Sequence, residues 1–378
     1  MKTFIAEKAH IINSVFGKIV TERVNWFGRK NDLILVSGNH IKGDENYAFV
    51  IYTSDQNYLD FPHLVCKSIV PQKNIRTGDI AFVDVDGAVK IEYEYGSPHN
   101  YIFVTNRCNC CCLCCPNNQN EKMIFSNIAH SLDLINLIEE KDIPCLVITG
   151  GEPTLVDEEL VDLLKKCGKR FPNTLALLLS NGINFSQNDY VKKIAKAAPP
   201  KFLIDIPIFA DVPSIHNYIM GSSGFYKTIN GIMNLNRNGI NVGIRVILNK
   251  LNCNRLVNIA NYIYRNLTFV YHVSFMQMEP SGNAANNIKT LWIDPKDYVD
   301  QLSDAVEFLL LRGITTEIYN FQLCLLPDTM RPYASRSISS WKNIYLDQCS
   351  LCCRQKDCAG FFASQLTCHS AFIRPILN

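Results

Sequence analysis

Runs of apolar residues divide the chain into two regions with different periodicities. In the first region, Ala48–Tyr52, Ile80–Val85 and Val89–Tyr93 have the length and composition of short strands, and Asp86-Gly87 is a turn signal between the last two. These features predict a small β-rich domain over residues 1–98. Its role is open, and one hypothesis is that an exposed strand edge of this domain captures a leader peptide.

From about residue 99 onward, short apolar runs alternate with amphipathic segments. Six strands are expected, at Tyr101–Val104, Cys145–Ile148, Leu175–Leu179, Phe202–Ile208, Ile244–Leu248 and Val270–Phe275. Helices are expected from about Ser126, after the N-cap candidate Asp157, and over Gly224–Asn238 and Leu256–Asn266. Six strand–helix units predict an α/β fold with a parallel sheet, and they fall short of the eight units of a closed barrel. We therefore expect a partial (β/α)6 barrel over residues 99–318.

The regular pattern ends after a helix over Pro295–Leu311 and one more strand at Thr315–Tyr319. The remaining residues, 319–378, form a cysteine-rich C-terminal extension. In parallel α/β folds the active site lies beyond the carboxyl ends of the strands, so the loops that follow the strands are the places to look for chemistry.

Charge and hydropathy narrow the class of protein further. The net charge of +2 and the pI of about 7.8 do not indicate a nucleic-acid partner. Charged residues interrupt the first twenty positions, which argues against a signal peptide, and no apolar run approaches the roughly 18 residues of a membrane helix. The sequence therefore predicts a cytoplasmic protein that does not insert into a membrane.

Sixteen cysteines are present, and most of them are clustered. Six lie between Cys108 and Cys115, and four lie between Cys349 and Cys358. Cysteines this close together make a poor disulfide framework, whereas in a cytoplasmic chain they more often bind metal. Five scattered cysteines are expected to be buried small apolar residues: Cys66, Cys145, Cys167, Cys253 and Cys368.

The first cluster directly follows the first strand of the predicted barrel. Cys108, Cys112 and Cys115 have the spacing C-x3-C-x2-C. Three thiolates can hold three irons of a [4Fe–4S] cluster and leave the fourth iron open for a reactant. Other ligand sets can be drawn, because Cys111 forms a C-x2-C pair with Cys108 and another with Cys114, and such pairs suit zinc.

The second strand ends in Gly150-Gly151-Glu152-Pro153. Two glycines let the backbone approach a ligand closely, and the carboxylate of Glu152 can bind an ammonium group. The alternative is an ordinary turn between a strand and a helix, where Gly-Gly and Pro are common.

Polar residues at the later strands are further candidates for ligand contacts. Ser180 and Asn181 follow the third strand, and Glu279 lies in the loop after the sixth. Asp205 and Arg245 interrupt apolar strands, where an unpaired charge is rare, so both are expected to face a central cavity. The alternatives are strand-ending turns for the first three and a structural ion pair or a surface position for the two charged residues.

The tail contains a second set of cysteines. Cys349, Cys352 and Cys358 have the spacing C-x2-C-x5-C, and Cys324 is available as a fourth ligand. An iron–sulfur cluster and a structural zinc ion both fit four thiolates. Cys353 is a possible substitute ligand.

These motifs together resemble the radical S-adenosylmethionine (SAM) superfamily, although Cys114 stands where the family usually has an aromatic residue. The resemblance implies a TIM-like partial barrel and a [4Fe–4S] cluster on Cys108, Cys112 and Cys115, with SAM on the open iron. It also implies that Gly150–Pro153 hold the SAM amino group, that Ser180 and Asn181 bind the ribose, and that the backbone of the loop with Glu279 lies near the adenine. Facing the cavity, Asp205 and Arg245 are expected to bind SAM or the substrate, with Arg245 also near the reacting groups.

The tail resembles SPASM and twitch extensions, which carry auxiliary iron–sulfur clusters. The full SPASM pattern has a further cysteine at about position 361 or 362, where this chain has Phe361 and Phe362. The resemblance therefore implies one auxiliary [4Fe–4S] cluster, on Cys324, Cys349, Cys352 and Cys358.

Three stretches resemble the radical SAM maturase of the His-Xaa-Ser repeat system (HxsC type): Tyr319–Cys324, Ser337–Asn343 and Cys358–Phe362. This likeness implies a ribosomally made peptide or repeat protein as substrate, companion maturation proteins and an external electron donor. Two alternatives remain open: a radical SAM enzyme that acts on a small molecule, and a zinc-binding protein without catalysis.

Overall fold

The computed structural model describes residues 2–11, 13–23, 30–55, 59–69, 73, 75–117, 128–336 and 343–377. The chain divides into two compact units. The first unit comprises Met1–Phe103, Asn127–Val147 and Arg170–Thr174, and the second comprises Val104–Ser126, Ile148–Lys169 and Leu175–Asn378. Ser126 and residues 337–342, on which two sequence interpretations depend, lie outside the described residues.

The first unit contains an eight-stranded sheet. Its strands are β1 (Lys2–Ile5), β2 (Lys8–His10), β3 (Val15–Val20), β4 (Lys30–Ser37), β5 (Tyr47–Tyr52), β6 (His63–Val65), β7 (Ile80–Val83) and β8 (Ala88–Tyr93). Their order in the sheet is β1-β8-β7-β3-β4-β5-β6-β2. The three strands predicted from the sequence correspond to β5, β7 and β8, so the β-rich character of this region is confirmed.

Both edges of this sheet belong to one continuous segment of the chain. β1 pairs antiparallel with β8, and β2 pairs antiparallel with β6. Between β1 and β2, the backbone N–H of Ala6 donates to Gly87 O at 3.0 Å, and that of Glu7 donates to Val65 O at 2.8 Å. The sheet thus closes on itself through this segment, and the capture of a leader peptide by a strand edge of this domain stays a prediction.

The closed sheet surrounds an apolar core. Strand residues alternate between the two faces, so one side chain in two points inward. The inward set is fully buried and aliphatic or aromatic: Ile19, Ile34, Val36, Phe49, Ile51, Leu64, Ala81, Val83, Val89 and Ile91. Burial of these side chains is the main stabilising contribution to this unit.

The second sheet has eight parallel strands and forms a partial barrel. They are β9 (His99–Phe103), β10 (Cys145–Thr149), β11 (Leu175–Leu179), β12 (Phe202–Pro207), β13 (Asn241–Leu248), β14 (His272–Gln277), β15 (Thr316–Tyr319) and β16 (Ala334–Ser335). The strands lie side by side in chain order. The predicted α/β partial barrel is confirmed, and β15 and β16 extend it beyond the six predicted strand–helix units.

Helices connect the strands of this sheet. They are α1 (Ile128–Leu137), α2 (Glu158–Arg170), α3 (Asn188–Ala197), α4 (Pro213–Met220), α5 (Phe225–Arg237), α6 (Leu256–Asn266), α7 (Gly282–Asn286), α8 (Ile288–Leu291) and α9 (Val299–Leu310). The predicted helix over Pro295–Leu311 is a 3-10 turn over Pro295–Asp297 followed by α9. Within the described residues, no helix combines the length and apolar character needed to cross a membrane.

The two faces of the second sheet differ in burial and polarity. On β13, Ile244, Val246 and Leu248 are fully buried, whereas Arg245 and Ile247 between them are only partly buried. β15 repeats this alternation, whereas on β14 Val273, Ser274 and Phe275 are all buried. One face therefore packs against the helices, and the other carries polar side chains toward a partly accessible space.

Candidate functional site

The six cysteines of the loop after β9 differ in burial in a way that separates three of them from the rest. Cys110 and Cys114 are buried, at 2% and 6% exposure, and Cys111 is exposed. The three with C-x3-C-x2-C spacing, Cys108, Cys112 and Cys115, are all partly buried. A ligand to a catalytic metal must be reachable by the metal and shielded from bulk water, so this pattern favours the predicted set over sets that contain Cys111 or Cys114.

Burial disfavours the thiolate form of these cysteines. It raises the pKa of the Cys115 thiol, and a hydrogen bond with Cys110, together with burial, raises that of Cys108. Burial also raises the pKa of Cys114, to about 12. The raised pKa values do not separate the predicted ligands from Cys114, and a metal would have to supply the positive charge that stabilises each buried thiolate.

Backbone contacts fix the cysteine loop from two sides. The N–H of Leu113 donates to Ile219 O at the end of α4 at 2.8 Å, and the N–H of Ala284 in α7 donates to Cys115 O at 3.1 Å. Gly221 has a φ of 64°, and a Cβ there would lie 2.3 Å from Cys111 O. Only glycine combines this backbone conformation with so close an approach, so the loop rests directly on the end of α4.

The Gly150-Gly151 pair packs against the start of the same loop. The N–H of Gly151 donates to Thr105 O and the N–H of Glu152 donates to Arg107 O, both at 2.7 Å. A Cβ would lie 2.4 Å from Thr105 O at Gly150 and 2.2 Å from Arg107 O at Gly151. The glycines are therefore required for contact between two backbone segments, a reason that differs from the close approach to a ligand expected from the sequence.

Glu152 is buried at 1% exposure and accepts four hydrogen bonds. Its donors are Thr154 N (3.1 Å), Thr154 Oγ1 (2.6 Å), Ser180 Oγ (2.8 Å) and Asn181 N (2.7 Å). Burial raises the pKa of this carboxyl, and the four donors oppose the rise. Glu152 thus joins the ends of β10 and β11, and it caps the 3-10 turn that begins at Pro153.

Asn181 connects the end of β11 to the cysteine loop. Its Nδ2 donates to Asn109 Oδ1 at 2.6 Å and to Cys110 Sγ at 3.4 Å, and its Oδ1 accepts from Ile183 N at 3.0 Å. Ser180 Oγ, besides donating to Glu152, accepts from Gly182 N at 3.1 Å. Both residues lie where the sequence predicted, and their polar atoms bind neighbouring protein groups.

Arg245 lies on the polar face of the sheet, in register with Pro207 on β12 and Ser274 on β14. Its Nε donates to Met276 Sδ at 3.0 Å. Within the described residues this is the only hydrogen bond of the guanidinium, and no carboxylate lies within ion-pair distance of it. A partly buried cation without an anion is costly, so the site favours an anionic ligand group at Arg245.

Asp205 lies on the same face and has a partner of its own. Its Oδ1 lies 3.3 Å from His272 Nε2, and both side chains are mostly buried, at 8% and 14% exposure. Gly243 stands between them on β13, in register with both residues. A Cβ at Gly243 would lie 2.2 Å from Asp205 Oδ1 and 2.5 Å from His272 Cε1, so the pair reaches across β13 only because that position is glycine.

The Asp205–His272 pair gives an expected pH dependence. Burial, the largest single effect, lowers the pKa of His272, and Arg245 lowers it further, but the hydrogen bond and charge of Asp205 together with the charge of Glu317 outweigh them, so the net shift is upward. A raised histidine pKa means that the pair stabilises the fold fully below the unfolded pKa of about 6.5 and ceases to do so as pH rises through the folded pKa. In equilibrium unfolding, the stability advantage of the wild type over His272→Gln should therefore be larger at low pH and shrink as pH rises.

A matched substitution tests the cause of this pH dependence. In the Asp205→Asn background the pH-dependent difference between His272 and Gln should disappear, and the histidine should titrate at lower pH in an NMR titration. An unchanged His272 titration in Asp205→Asn would contradict the pairing.

Three polar residues on this face were not predicted as site residues: Ser274, Glu317 and Tyr319. Ser274 is in register with Glu317, and Met276 with Tyr319. Burial and the neighbouring Glu317 raise the pKa of Tyr319 well above its usual value. A period of two in polar residues at positions 272 and 274 and at 317 and 319 was the sequence signal that could have identified them.

The predicted Glu279 lies in the loop after β14. Its neighbour Met278 packs in the apolar cluster that contains Cys114, and Ser281 Oγ donates to Pro116 O at 3.1 Å. A Cβ at Gly282, where φ is 53°, would lie 2.4 Å from Pro116 O. The structure therefore assigns this loop to holding the end of the cysteine loop.

Comparison with known families agrees with this arrangement. Residues 102–263 match the model of the radical SAM superfamily. The chain contains a radical SAM superfamily domain. The matched region begins in β9 and ends in α6, and it includes the cysteine loop, Glu152, Asp205 and Arg245. This superfamily implies a [4Fe–4S] cluster and SAM.

Several solved structures are similar to the chain around its radical SAM domain. SuiB of Streptococcus suis, bound to the precursor peptide SuiA, is 16% identical, with a TM-score of 0.46 over 59% of this chain and 48% of SuiB. The anSMEcpe structure with bound AdoMet is 18% identical, with a TM-score of 0.45 over 58% of this chain and 62% of that one. The chain thus spans about half of the length of SuiB. Among curated proteins, none matches the chain.

Beyond the radical SAM domain, the tail forms a cavity of about 350 Å³. Four of its lining residues are the cysteines Cys324, Cys349, Cys352 and Cys358, all partly buried. Cys353 is exposed and does not line it. The structure therefore brings together the four thiols that the tail spacing selected, although Cys324 is distant from the other three in the sequence.

Local packing around Gly360 shapes this cavity. Gly360 has a φ of 65°, and a Cβ there would lie 2.5 Å from Ile344 O. Its carbonyl accepts from Gln322 Nε2 at 2.8 Å, and the next residue, Phe361, pairs with Ile344 and is buried. The ring of Phe361 lines the cavity at a position where the SPASM pattern has a cysteine.

Four thiols that line one cavity can hold an iron–sulfur cluster or a zinc ion, since thiolates are ligands of both. The metal that the protein contains therefore distinguishes the two.

Proposed function

We propose that this protein is a radical SAM enzyme whose catalytic [4Fe–4S] cluster is held by Cys108, Cys112 and Cys115. The observation that carries the proposal is their shared partial burial within a loop in which Cys111 is exposed and Cys110 and Cys114 are buried. When bound, the reduced cluster supplies an electron that splits SAM into methionine and a 5′-deoxyadenosyl radical. The protein binds and orients the reactants and keeps water away.

Named side chains would do this positioning. Asn181 fixes the cysteine loop through Asn109 and Cys110, and Glu152 fixes the strand end that carries Asn181. Arg245 would bind the carboxylate of SAM or of the substrate through its guanidinium. These groups are held by the sheet before any ligand binds, and this lowers the entropic cost of forming the reactive complex.

Substitution of Arg245 tests its role as the anion-binding group. Arg245→Gln removes the charge and should weaken SAM binding about tenfold or more, since hydrogen bonds to charged groups contribute ~1.5–3 kcal/mol. Arg245→Lys, which keeps the charge but loses the bidentate geometry, should fall between Gln and wild type. Isothermal titration with SAM measures both, and equal affinity in all three proteins would exclude Arg245 from SAM binding and leave the substrate as its partner.

We further propose that Cys324, Cys349, Cys352 and Cys358 hold one auxiliary [4Fe–4S] cluster. Four thiols around one cavity, with Phe361 in place of a further cysteine, support a single cluster here. A structural zinc ion is the alternative for these four thiols, and metal analysis distinguishes the two.

Loss of one tail ligand should separate the two clusters. Cys349→Ala is expected to reduce iron by about four atoms per chain while reductive SAM cleavage without substrate continues. Cys353→Ala, an exposed neighbour with the same chemistry, should keep all of its iron. Iron analysis of anaerobically prepared protein measures this, and full iron in Cys349→Ala or tail-bound zinc would contradict the auxiliary cluster.

The substrate we propose is a ribosomally made peptide or repeat protein of the His-Xaa-Ser type. The support is the likeness of Tyr319–Cys324 and Cys358–Phe362 to the corresponding maturase, and both stretches contribute residues to the tail cavity. Companion maturation proteins and an external electron donor would complete the system, in the cytoplasm. The test is anaerobic incubation of the enzyme with SAM, a reductant and a His-Xaa-Ser repeat peptide.

Two readouts separate the parts of this proposal. About eight irons per chain and release of 5′-deoxyadenosine support the radical mechanism, and a mass change in the peptide supports the substrate. Deoxyadenosine without a peptide mass change would point to another substrate, such as a small molecule. Colourless, zinc-bound protein that does not bind SAM would leave a non-catalytic binding protein.

A further inference from the structure

Residues 373–376 lie against the cavity of the tail cysteines. Ile373 is buried, and both it and Arg374 line the cavity. We refer to residues 373–376 as the C-terminal strap.

Hydrogen bonds hold the strap at both of its ends. Gln348 Nε2 donates to Ile373 O at 3.0 Å, and the backbone N–H of Cys353 donates to Ile376 O at 2.9 Å. Pro375, between them, limits the backbone freedom of the segment. The strap is therefore fixed beside the cysteines by its carbonyl groups, which leaves its N–H groups available to the sulfur atoms.

One strap N–H group donates to a cysteine sulfur atom. The N–H of Ile376 donates to Cys352 Sγ at 3.3 Å. Ile373 and Arg374 line the same cavity as Cys324, which follows β15 in the sequence. The strap therefore lies beside both parts of the ligand set, and one of its amides bonds directly to a ligand sulfur.

Hydrogen bonds to ligand sulfurs stabilise the negative charge that a cluster gains on reduction. Such hydrogen bonds therefore raise the reduction potential of the cluster. A cavity wall that excludes water from the sulfurs also influences this potential. Among the described residues, the N–H of Gly360 also donates to a cavity sulfur, Cys358 Sγ, at 3.5 Å, which is longer than the bond from Ile376. The shorter of these two bonds thus comes from the strap.

We propose that the C-terminal strap tunes the auxiliary cluster: the backbone N–H of Ile376 raises its reduction potential, and the strap closes one side of its cavity. This inference rests on the proposed auxiliary cluster. The proposed function falls on residues outside every cysteine motif. It depends on the backbone amide, so the identity of the side chain matters less.

The experiment removes one backbone N–H and controls for the loss of the side chain. Ile376→Pro lacks the donor, whereas Ile376→Ala keeps the N–H and loses most of the side chain. Both are made in full-length protein with Cys108, Cys112 and Cys115 replaced by alanine, so that only the tail cluster gives a signal. The readouts are iron content and a redox titration followed by electron paramagnetic resonance.

The expected result is about four irons in each protein, with a more negative midpoint potential in Ile376→Pro and an unchanged one in Ile376→Ala. Equal potentials in the two variants, with equal iron, would overturn the role of the strap. If the parent itself contains no tail iron, the auxiliary cluster fails, and with it the basis of this inference.

A second variant covers the case in which proline disturbs the fold. Cys368 allows residues 1–367, as a thioester, to be ligated to a synthetic peptide of residues 368–378. An ester in place of the amide between Pro375 and Ile376 removes the N–H without restricting φ. The ester protein should show the same negative shift relative to the ligated all-amide protein, and no shift with equal iron would again overturn the inference.

Discussion

Replacing Cys112 by alanine is expected to remove about four irons per chain and to reduce SAM cleavage to background. The three cluster ligands act as a unit, because a [4Fe–4S] cluster with only two protein ligands is not retained. The tail iron should remain, so the protein keeps about half of its colour. Iron and sulfide analysis after anaerobic purification, combined with a 5′-deoxyadenosine assay, measures the effect.

The neighbouring cysteines provide unusually close controls. Cys111→Ala changes the adjacent residue, which is exposed, and should leave iron content and SAM cleavage unchanged. Cys114→Ala alters a buried residue of the apolar cluster and should lower stability more than iron content. If Cys111→Ala removed the cluster iron and Cys112→Ala did not, the ligand set would be one of the alternative C-x2-C sets.

Gly151→Ala is expected to damage the same site without touching a ligand. The added Cβ would lie 2.2 Å from Arg107 O and 2.7 Å from Arg107 C, both backbone atoms that cannot rotate away. Relief requires separating the two segments, which breaks the hydrogen bonds from Gly151 N and Glu152 N. Overpacking and the two lost bonds together should lower the free energy of unfolding by about 3 kcal/mol or more.

Iron content and stability should both respond to Gly151→Ala, since the loop that begins at Thr105 carries the cysteines. The matched control is Gly38→Ala, where no heavy atom lies within 4 Å of the added Cβ and φ is not in the left-handed region. That variant should be neutral or slightly stabilising. Denaturant unfolding and iron analysis measure both, and a Gly151→Ala protein as stable and iron-rich as Gly38→Ala would show that the contact is not tight.

Much of the fold could be predicted, because the spacing of apolar residues within a short segment indicates the secondary structure of that segment. The buried strands of the partial barrel are continuous apolar runs, and six of them were located to within a few residues. The helices α3 and α4 were not predicted, since they are short and each presents only three buried residues, such as Val191, Ile194 and Ala197 in α3. Short helices depend on tertiary packing more than on their own pattern.

The sequence predicted which residues belong to the candidate site, but it predicted less well which of them contact one another. Spacing selected Cys108, Cys112 and Cys115, but only the structure separates them from Cys111 and Cys114 by burial. The sequence placed Asp205 on an inner face, yet its partner His272 is two strands away across Gly243. Contacts of this kind are set by strand register, which a single sequence does not specify.

The closed sheet of the first unit has a consequence for how the chain folds. β1 precedes the other strands of this sheet in the chain, but Lys2 pairs with Ile91 and Ile5 with Ala88, so β1 cannot pair until β8, the last strand of the sheet, has been synthesised. β2 waits in the same way for β6. Non-local pairing of this kind slows folding, because the entropy of closing a long loop is lost before any contact compensates for it. β1 and β2 are therefore expected to join the sheet last, so that their pairing completes its folding.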